Sequence, residues 1–161
     1  EFRRVLFRSP DRPAALRAVK AVLKPGGRLV AAVWAAPARA PLLSAAPVAI
    51  MKALDLAPPP PGTPGVFALA DPSPFVAELG DAGFSDIEVE EVDITFPFDS
   101  SETYVEFMRD IAAPFNAMLA GETDERREEI WGLVREAAAK LADDDGAVST
   151  PNTSLVISAT R

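Results

Sequence analysis

The sequence contains no cysteine and no histidine. Without cysteine there are no disulfides, no thiolate nucleophile and no thiolate zinc site. Without histidine there is no Ser–His couple and no imidazole base near neutral pH. A side chain that moves a proton would therefore be Asp, Glu, Lys or the single Tyr, unless the chemistry needs none. Positive charge is scarce as well: 16 Lys and Arg stand against 24 Asp and Glu, a formal net charge of −8. No basic cluster occurs beyond the first few residues, so no nucleic-acid partner is expected. No apolar run approaches the ~18 residues of a membrane span, so no membrane partner is expected. No secretory signal is recognisable, and a cytoplasmic location is the expectation. What is present is a chain of 161 residues, 48% of them apolar. That suits one domain, or a large piece of one, with a real core.

The first nine residues read EFRRVLFRS. Val5-Leu6-Phe7-Arg8-Ser9 looks like the in-frame translation of a sequencing-adapter end, so residues 1–9 are set aside as a non-native scar and the domain is taken as 10–161. Asp11 is a suitable N-cap and Pro13 suits a first helical turn. Leu16, Val19 and Leu23, with Ala15 and Val22 beside them, recur at helical spacing. Pro25-Gly26-Gly27 turns the chain into Arg28–Trp34, a continuous apolar run of the kind buried on both faces in a parallel sheet. Three prolines between Ala35 and Leu56 predict short or broken helices, and Pro58–Pro61 with Gly62, Pro64 and Gly65 predicts a stiff linker. Together these make a helical, Pro-rich insert at 35–66. Asp71-Pro72 predicts a helix start, Phe75, Val76 and Leu79 its apolar face, and Gly83 its end, with Phe84 packing back.

Ile87–Phe98 alternates as a strand, but its phase slips at Glu90-Glu91, which predicts a bulge or a break with the acidic pair pointing outward. The pair is adjacent on a strand, so the two carboxylates face opposite ways and are not an acid–base couple. Asp99-Ser100-Ser101-Glu102 is a capping signal for a helix that breaks near Pro114. Thr123 caps a second helix to about Leu141, with Ile130, Leu133, Val134, Ala137 and Leu141 as its buried stripe. Asp143-Asp144-Asp145-Gly146 is a solvated stop without calcium-loop spacing, and no metal site is expected. Ser154–Thr160 is a final apolar strand. The order is helix, strand, helical insert, helix, strand, two helices, strand, an α/β arrangement.

Two blocks carry a resemblance. Leu23-Lys24-Pro25-Gly26-Gly27-Arg28-Leu29, between a helix and a buried strand, resembles the turn before the fifth strand of class I S-adenosylmethionine-dependent methyltransferases. About 55 residues on, Ala82-Gly83-Phe84 resembles the turn before the sixth strand of that family. The resemblance covers the C-terminal half of the Rossmann-like, seven-stranded fold, and it is nearest to small-molecule enzymes of the ubiquinone and menaquinone biosynthesis type. It implies that strands 5, 7 and 6 lie side by side, with Ser154–Thr160 antiparallel between Arg28–Trp34 and Ile87–Phe98. The family's glycine-rich cofactor loop and the acidic residue after its second strand have no counterpart here. Gly26-Gly27 lacks the G-x-G spacing and precedes a strand. The expectation is therefore an inactive fragment whose parent uses S-adenosylmethionine, with no cofactor-binding residue in this chain.

Methyl transfer from a sulfonium is a direct displacement, so the protein mainly positions reactants and excludes water. By position in the family, Trp34, Phe67, Tyr104 and Phe115 are candidates to line the pocket for a small-molecule methyl acceptor, while an ordinary core role remains open for each. Trp34 leads, because it ends a parallel-type strand where open α/β sheets hold ligands. No individual catalytic residue stands out. A strand 5 without its strand 4 neighbour would present an apolar edge at Arg28–Trp34 open to self-association. The competing readings are a self-contained, non-catalytic α/β ligand-binding or dimerisation module, which would cover that edge.

Overall fold

A computed structural model describes residues 11–60, 63–111 and 113–161. The scar-like residues 1–9 and part of the Pro-rich linker lie outside the described residues. In chain order the elements are α1 (Arg12–Val22), β1 (Arg28–Trp34), a 3-10 turn (Pro37–Arg39), α2 (Pro41–Ala53), α3 (Ser73–Asp81), β2 (Ser85–Thr95), α4 (Ser101–Ile111), α5 (Ala113–Met118), α6 (Asp124–Ala139) and β3 (Pro151–Thr160). They form two compact units. The first holds the described residues up to Arg39, Pro60–Asp93 and Thr153–Arg161; the second holds Ala40–Pro59 and Ile94–Asn152.

The first unit is built on a three-stranded sheet of order β1-β3-β2. The last strand is thus central, and it runs antiparallel to β1 with Arg28 opposite Thr160 and Trp34 opposite Ser154. Helices α1 and α3 pack together. Their Leu16, Val19, Phe75 and Leu79 share a core with Leu29, Ala31 and Val33 of β1 and with Leu155, Ile157 and Ala159 of β3. The start of α1 is capped as expected, Asp11 Oδ1 accepting from Ala14 N at 2.9 Å. Arg12 clamps the carboxylate of Glu78 on α3 with Nε–Oε2 and Nη2–Oε1 distances of 2.9 and 2.7 Å. That hydrogen bond, and secondarily the charge of Glu78, raises the Arg12 pKa against a partial desolvation. The cap of α3 differs from expectation: the helix starts at Ser73, and Asp71 Oδ1 accepts from Ser73 N at 2.9 Å. Its end follows the predicted glycine turn. Gly83 sits at φ +82°, and Phe84 N donates to Leu79 O at 3.0 Å, which folds the Phe84 ring back into the core.

Several expectations about this unit are corrected. The run Arg28–Trp34 does form a strand, but its burial alternates and Val30 is 60% exposed. Only the face carrying Leu29, Ala31 and Val33 packs on helices, because α1 and α3 contribute to that one core. The strand buried on both sides is β3, which sits between two neighbours and starts at Pro151 instead of Ser154. Val22 projects away from the core at 73% exposure. The second sheet strand spans Ser85–Thr95, so it does not break at Glu90-Glu91, and it stops short of Phe98; its partly buried residues, Ile87 and Ile94, change phase across the acidic pair as the sequence does. Both glutamates are exposed, and Glu91 reaches Arg39 at 2.8 Å.

The second unit is helical. Helix α6 packs on both α2 and α4. Leu42, Ala46 and Ile50 of α2, Tyr104, Val105 and Met108 of α4, and Ile130, Trp131, Val134 and Ala138 of α6 make its core. Of the short or broken helices expected here, Pro37–Arg39 is a short 3-10 turn and a new helix starts at Pro41, but α2 continues through Pro47. One missing N–H is tolerated because the stripe at positions 42, 46 and 50 stays buried along its whole length. Ser100 and Thr103 start α4 with reciprocal bonds, Thr103 N donating to Ser100 Oγ at 3.2 Å and Ser100 N to Thr103 Oγ1 at 3.0 Å. Thr123 caps α6 through Arg126 N at 3.2 Å. The buried stripe of α6 is rotated from expectation: Leu133 is 38% exposed while Trp131 and Ala138 are buried. Two helices pack on α6, so its buried arc is wider than a single stripe and includes Trp131.

Candidate functional site

The four aromatic candidates divide between the units. Trp34 and Phe67 belong to the first, Tyr104 and Phe115 to the second. Trp34 is half-buried at the end of β1. There Gly65, Val66 and Leu69, from the turn that follows the Pro-rich stretch, meet Ala32, Val33 and Trp34 around a cavity of about 120 Å³. Its lining carries no charged side chain. Phe67 lies in the same turn, half-buried, with its carbonyl accepting from Ala70 N at 3.1 Å. Val66 and Leu69, which line the cavity, went unnoticed in the sequence because nothing in a Pro- and Gly-rich stretch says which strand end it crosses.

Tyr104 is 1% exposed and donates its hydroxyl to Leu42 O at 2.6 Å. Its ring meets Phe98 edge-on at 5.4 Å. Burial pushes its pKa up to about 12, so at neutral pH the phenol is a fixed donor and not a base. Phe115 packs on the same core from α5. Both side chains have the surroundings of core residues.

A larger depression, about 460 Å³, lies between α4 and α6. Glu102, Val105, Glu106 and Arg109 line it from one helix, and Glu128, Trp131, Gly132 and Arg135 from the other. Two ion pairs cross it: Arg109 to Glu128 at 2.8 Å and Arg135 to Glu102 at 3.7 Å. The hydrogen bond from Arg109 holds the Glu128 carboxyl below the usual range. The guanidinium also lies over the Trp131 ring, 5.2 Å from its centroid. Each helix shows its stripe in the sequence at i, i+3, i+4, i+7, but only packing brings the two stripes face to face. Among the described residues no group of acidic side chains is arranged to hold a metal ion, and no helix is long and apolar enough to cross a membrane.

The Pro25-Gly26-Gly27 turn has a local structural account. Gly26 has φ +73°, and its N–H donates to Arg161 O while Gly27 O accepts from Arg161 N at 2.9 Å. A Cβ on Gly27 would stand 2.8 Å from Lys24 O. The turn itself and its pairing with the end of β3 account for both glycines.

No protein-family model matches the chain, and no curated protein matches it. Solved structures do. One is phosphoethanolamine N-methyltransferase 2 of Haemonchus contortus, in complex with phosphomonomethylethanolamine and S-adenosylhomocysteine, at 14% identity and a TM-score of 0.40 over 97% of this chain and 31% of that one. Another is a candidate methyltransferase from Bacillus halodurans, at 17% identity and a TM-score of 0.43 over 97% of this chain and 60% of that one. The chain therefore spans about a third of the first protein and three fifths of the second. With so loose a superposition, the functional reading rests on the residues and topology of this chain.

Proposed function

We propose that this chain is the C-terminal part of a class I S-adenosylmethionine-dependent methyltransferase that acts on a small molecule, and that it does not bind the cofactor by itself. The observation that carries the reading is the position of β3. The last strand of the chain inserts between β1 and β2, antiparallel to β1, the arrangement implied by the Pro-Gly-Gly and Ala-Gly-Phe turns. Both turns also sit where the resemblance requires, directly before β1 and β2.

The cofactor would supply an activated methyl group in the parent enzyme. This chain's part is to shape the acceptor side. Trp34 is the strongest candidate for that role, because its half-exposed ring borders an uncharged cavity at the end of β1. Phe67 would adjoin it on the crossing turn. A wall free of charged groups suits an apolar portion of an acceptor. No general base is needed where the acceptor atom is already nucleophilic or ionises easily.

Calorimetric titration of the 161-residue chain with S-adenosylmethionine tests the reading, and no binding is the expected result. Tight binding would overturn it. The decisive complement is the native gene upstream of Pro10: it should encode a glycine-rich loop after a strand, and its absence would sink the methyltransferase reading.

A further inference from the structure

The depression between α4 and α6 in the helical unit is framed by a repeated pattern. Glu102 and Arg109 stand two turns apart on α4, as do Glu128 and Arg135 on α6. The helices run antiparallel, so each glutamate meets the arginine of the other helix. Glu128 pairs with Arg109 at 2.8 Å and Glu102 with Arg135 at 3.7 Å. Midway between these two pairs, Glu106 of α4 comes opposite Gly132 of α6, and both line the depression. Three carboxylates thus face two guanidiniums. Both guanidiniums are engaged, and Arg109 also covers the Trp131 ring. Glu106 is exposed and makes neither an ion pair nor a hydrogen bond among the described residues. The one uncompensated charge of the depression is therefore negative, and it lies at the middle.

Gly132 sits in the interior of α6, where glycine weakens a helix relative to alanine. A turn does not account for it, since α6 runs on to Ala139. Packing does not account for it either: a Cβ added at Gly132 would meet nothing within 4 Å. What the missing side chain does is leave the α6 backbone open on a depression of about 460 Å³, across from the unpaired carboxylate. Glycine at such a place lets a ligand approach the backbone closely. One free carboxylate is too few ligands for a metal ion, and an anion would meet a net negative charge.

We propose that this depression binds a small organic cation, an ammonium or guanidinium group on a short apolar body, with its charge on Glu106 and its body over Gly132. The site belongs wholly to the helical unit. Its test involves no S-adenosylmethionine, so it and the methyltransferase reading stand or fall separately. Proton–nitrogen correlation NMR of the 161-residue chain, titrated with ethylammonium chloride and with methylguanidinium chloride, reads the binding. Sodium chloride at the same ionic strength is the control. The amides of Glu106 and Gly132 should shift and saturate with at least one organic cation and not with sodium. E106Q, a change at an exposed site, should abolish those shifts with the rest of the spectrum intact. G132A fills the gap over the backbone and should also abolish them, while its urea midpoint rises because alanine is the better helix former. Shifts at Gly132 that saturate with neither cation, that sodium reproduces, or that persist in E106Q or G132A overturn the proposal. A G132A chain with a lowered midpoint overturns it too, since glycine would then be needed for packing.

Discussion

Replacing Asn152 with alanine should remove the side-chain cap of α2. The N-cap residue of that helix is Ala40, which has no polar side chain to offer. Asn152, fully buried and 110 residues further on, does the capping instead: its Oδ1 accepts from Leu42 N at 3.0 Å and from Leu43 N at 3.4 Å. Its Nδ2 donates to Thr150 O at 2.9 Å. Loss of a cap costs about 1 kcal/mol, and a buried donor left without a partner about 1–3 kcal/mol. The two figures overlap, because the orphaned Leu42 N–H is the main loss, and the long bond to Leu43 adds little. We therefore expect N152A to destabilise the helical unit by about 2–3 kcal/mol. N152D keeps the acceptor beside a helix N-terminus, which favours negative charge, and should lose less. Urea unfolding followed by the fluorescence of Trp131, which is 4% exposed in this unit, reads the effect. A W34F background removes the other tryptophan. The midpoint should fall with the slope unchanged. A loss below about 0.5 kcal/mol, the level of an ordinary surface substitution, would refute the capping argument.

Tyr104 is the only tyrosine, so its ionisation can be followed directly in the near ultraviolet. Its folded pKa of about 12 lies above the ordinary tyrosine value of 10.0. The phenol therefore stabilises the fold fully below pH 10, and that contribution is lost as the pH rises toward 12. The expected record is a tyrosinate signal delayed past pH 10 and coincident with alkaline unfolding; a simple titration at pH 10 in a folded chain would contradict it. Y104F should cost about 1–2 kcal/mol, because Leu42 O loses its donor. G83A should cost about 1 kcal/mol or more in thermal or urea unfolding, since Gly83 has φ +82°, a backbone conformation that disfavours any Cβ. A G83A variant as stable as the parent would show that the turn relaxes. Calorimetry with S-adenosylmethionine should show no binding to the 161-residue chain, as set out above.

Much of the local structure was legible because its causes are local. Asp11, Thr123 and the Ser100 start satisfy backbone donors within three residues of themselves. Gly83 ends α3 because a left-handed residue is needed there. The bounds of β1 follow from an apolar run between a glycine turn and a proline-containing stretch. Burial was less legible. A uniformly apolar strand cannot say that α1 and α3 contribute to the core of one face, and the arc of α6 depends on two partners at once. Of the residues lining the cavity at the end of β1, the sequence pointed to Trp34 alone. The residues that close the cavity around it, Val66 and Leu69, carry no pattern of their own.

By itself, then, the sequence determined which segments become helices and strands, where most of them start and stop, and the absence of cysteine and histidine chemistry. Caps, turns and periodicities act over three or four residues, and the sequence displays them directly. That the last strand lies between β1 and β2 was implied by the family resemblance and by no local pattern, and the tertiary structure displays it. Only the tertiary structure joined α2, from the insert, with α4 and α6 in one helical core, and it alone used Asn152 to cap a helix 110 residues away. Those choices depend on which surfaces meet, and the energy of a contact between distant segments leaves no periodicity in either of them.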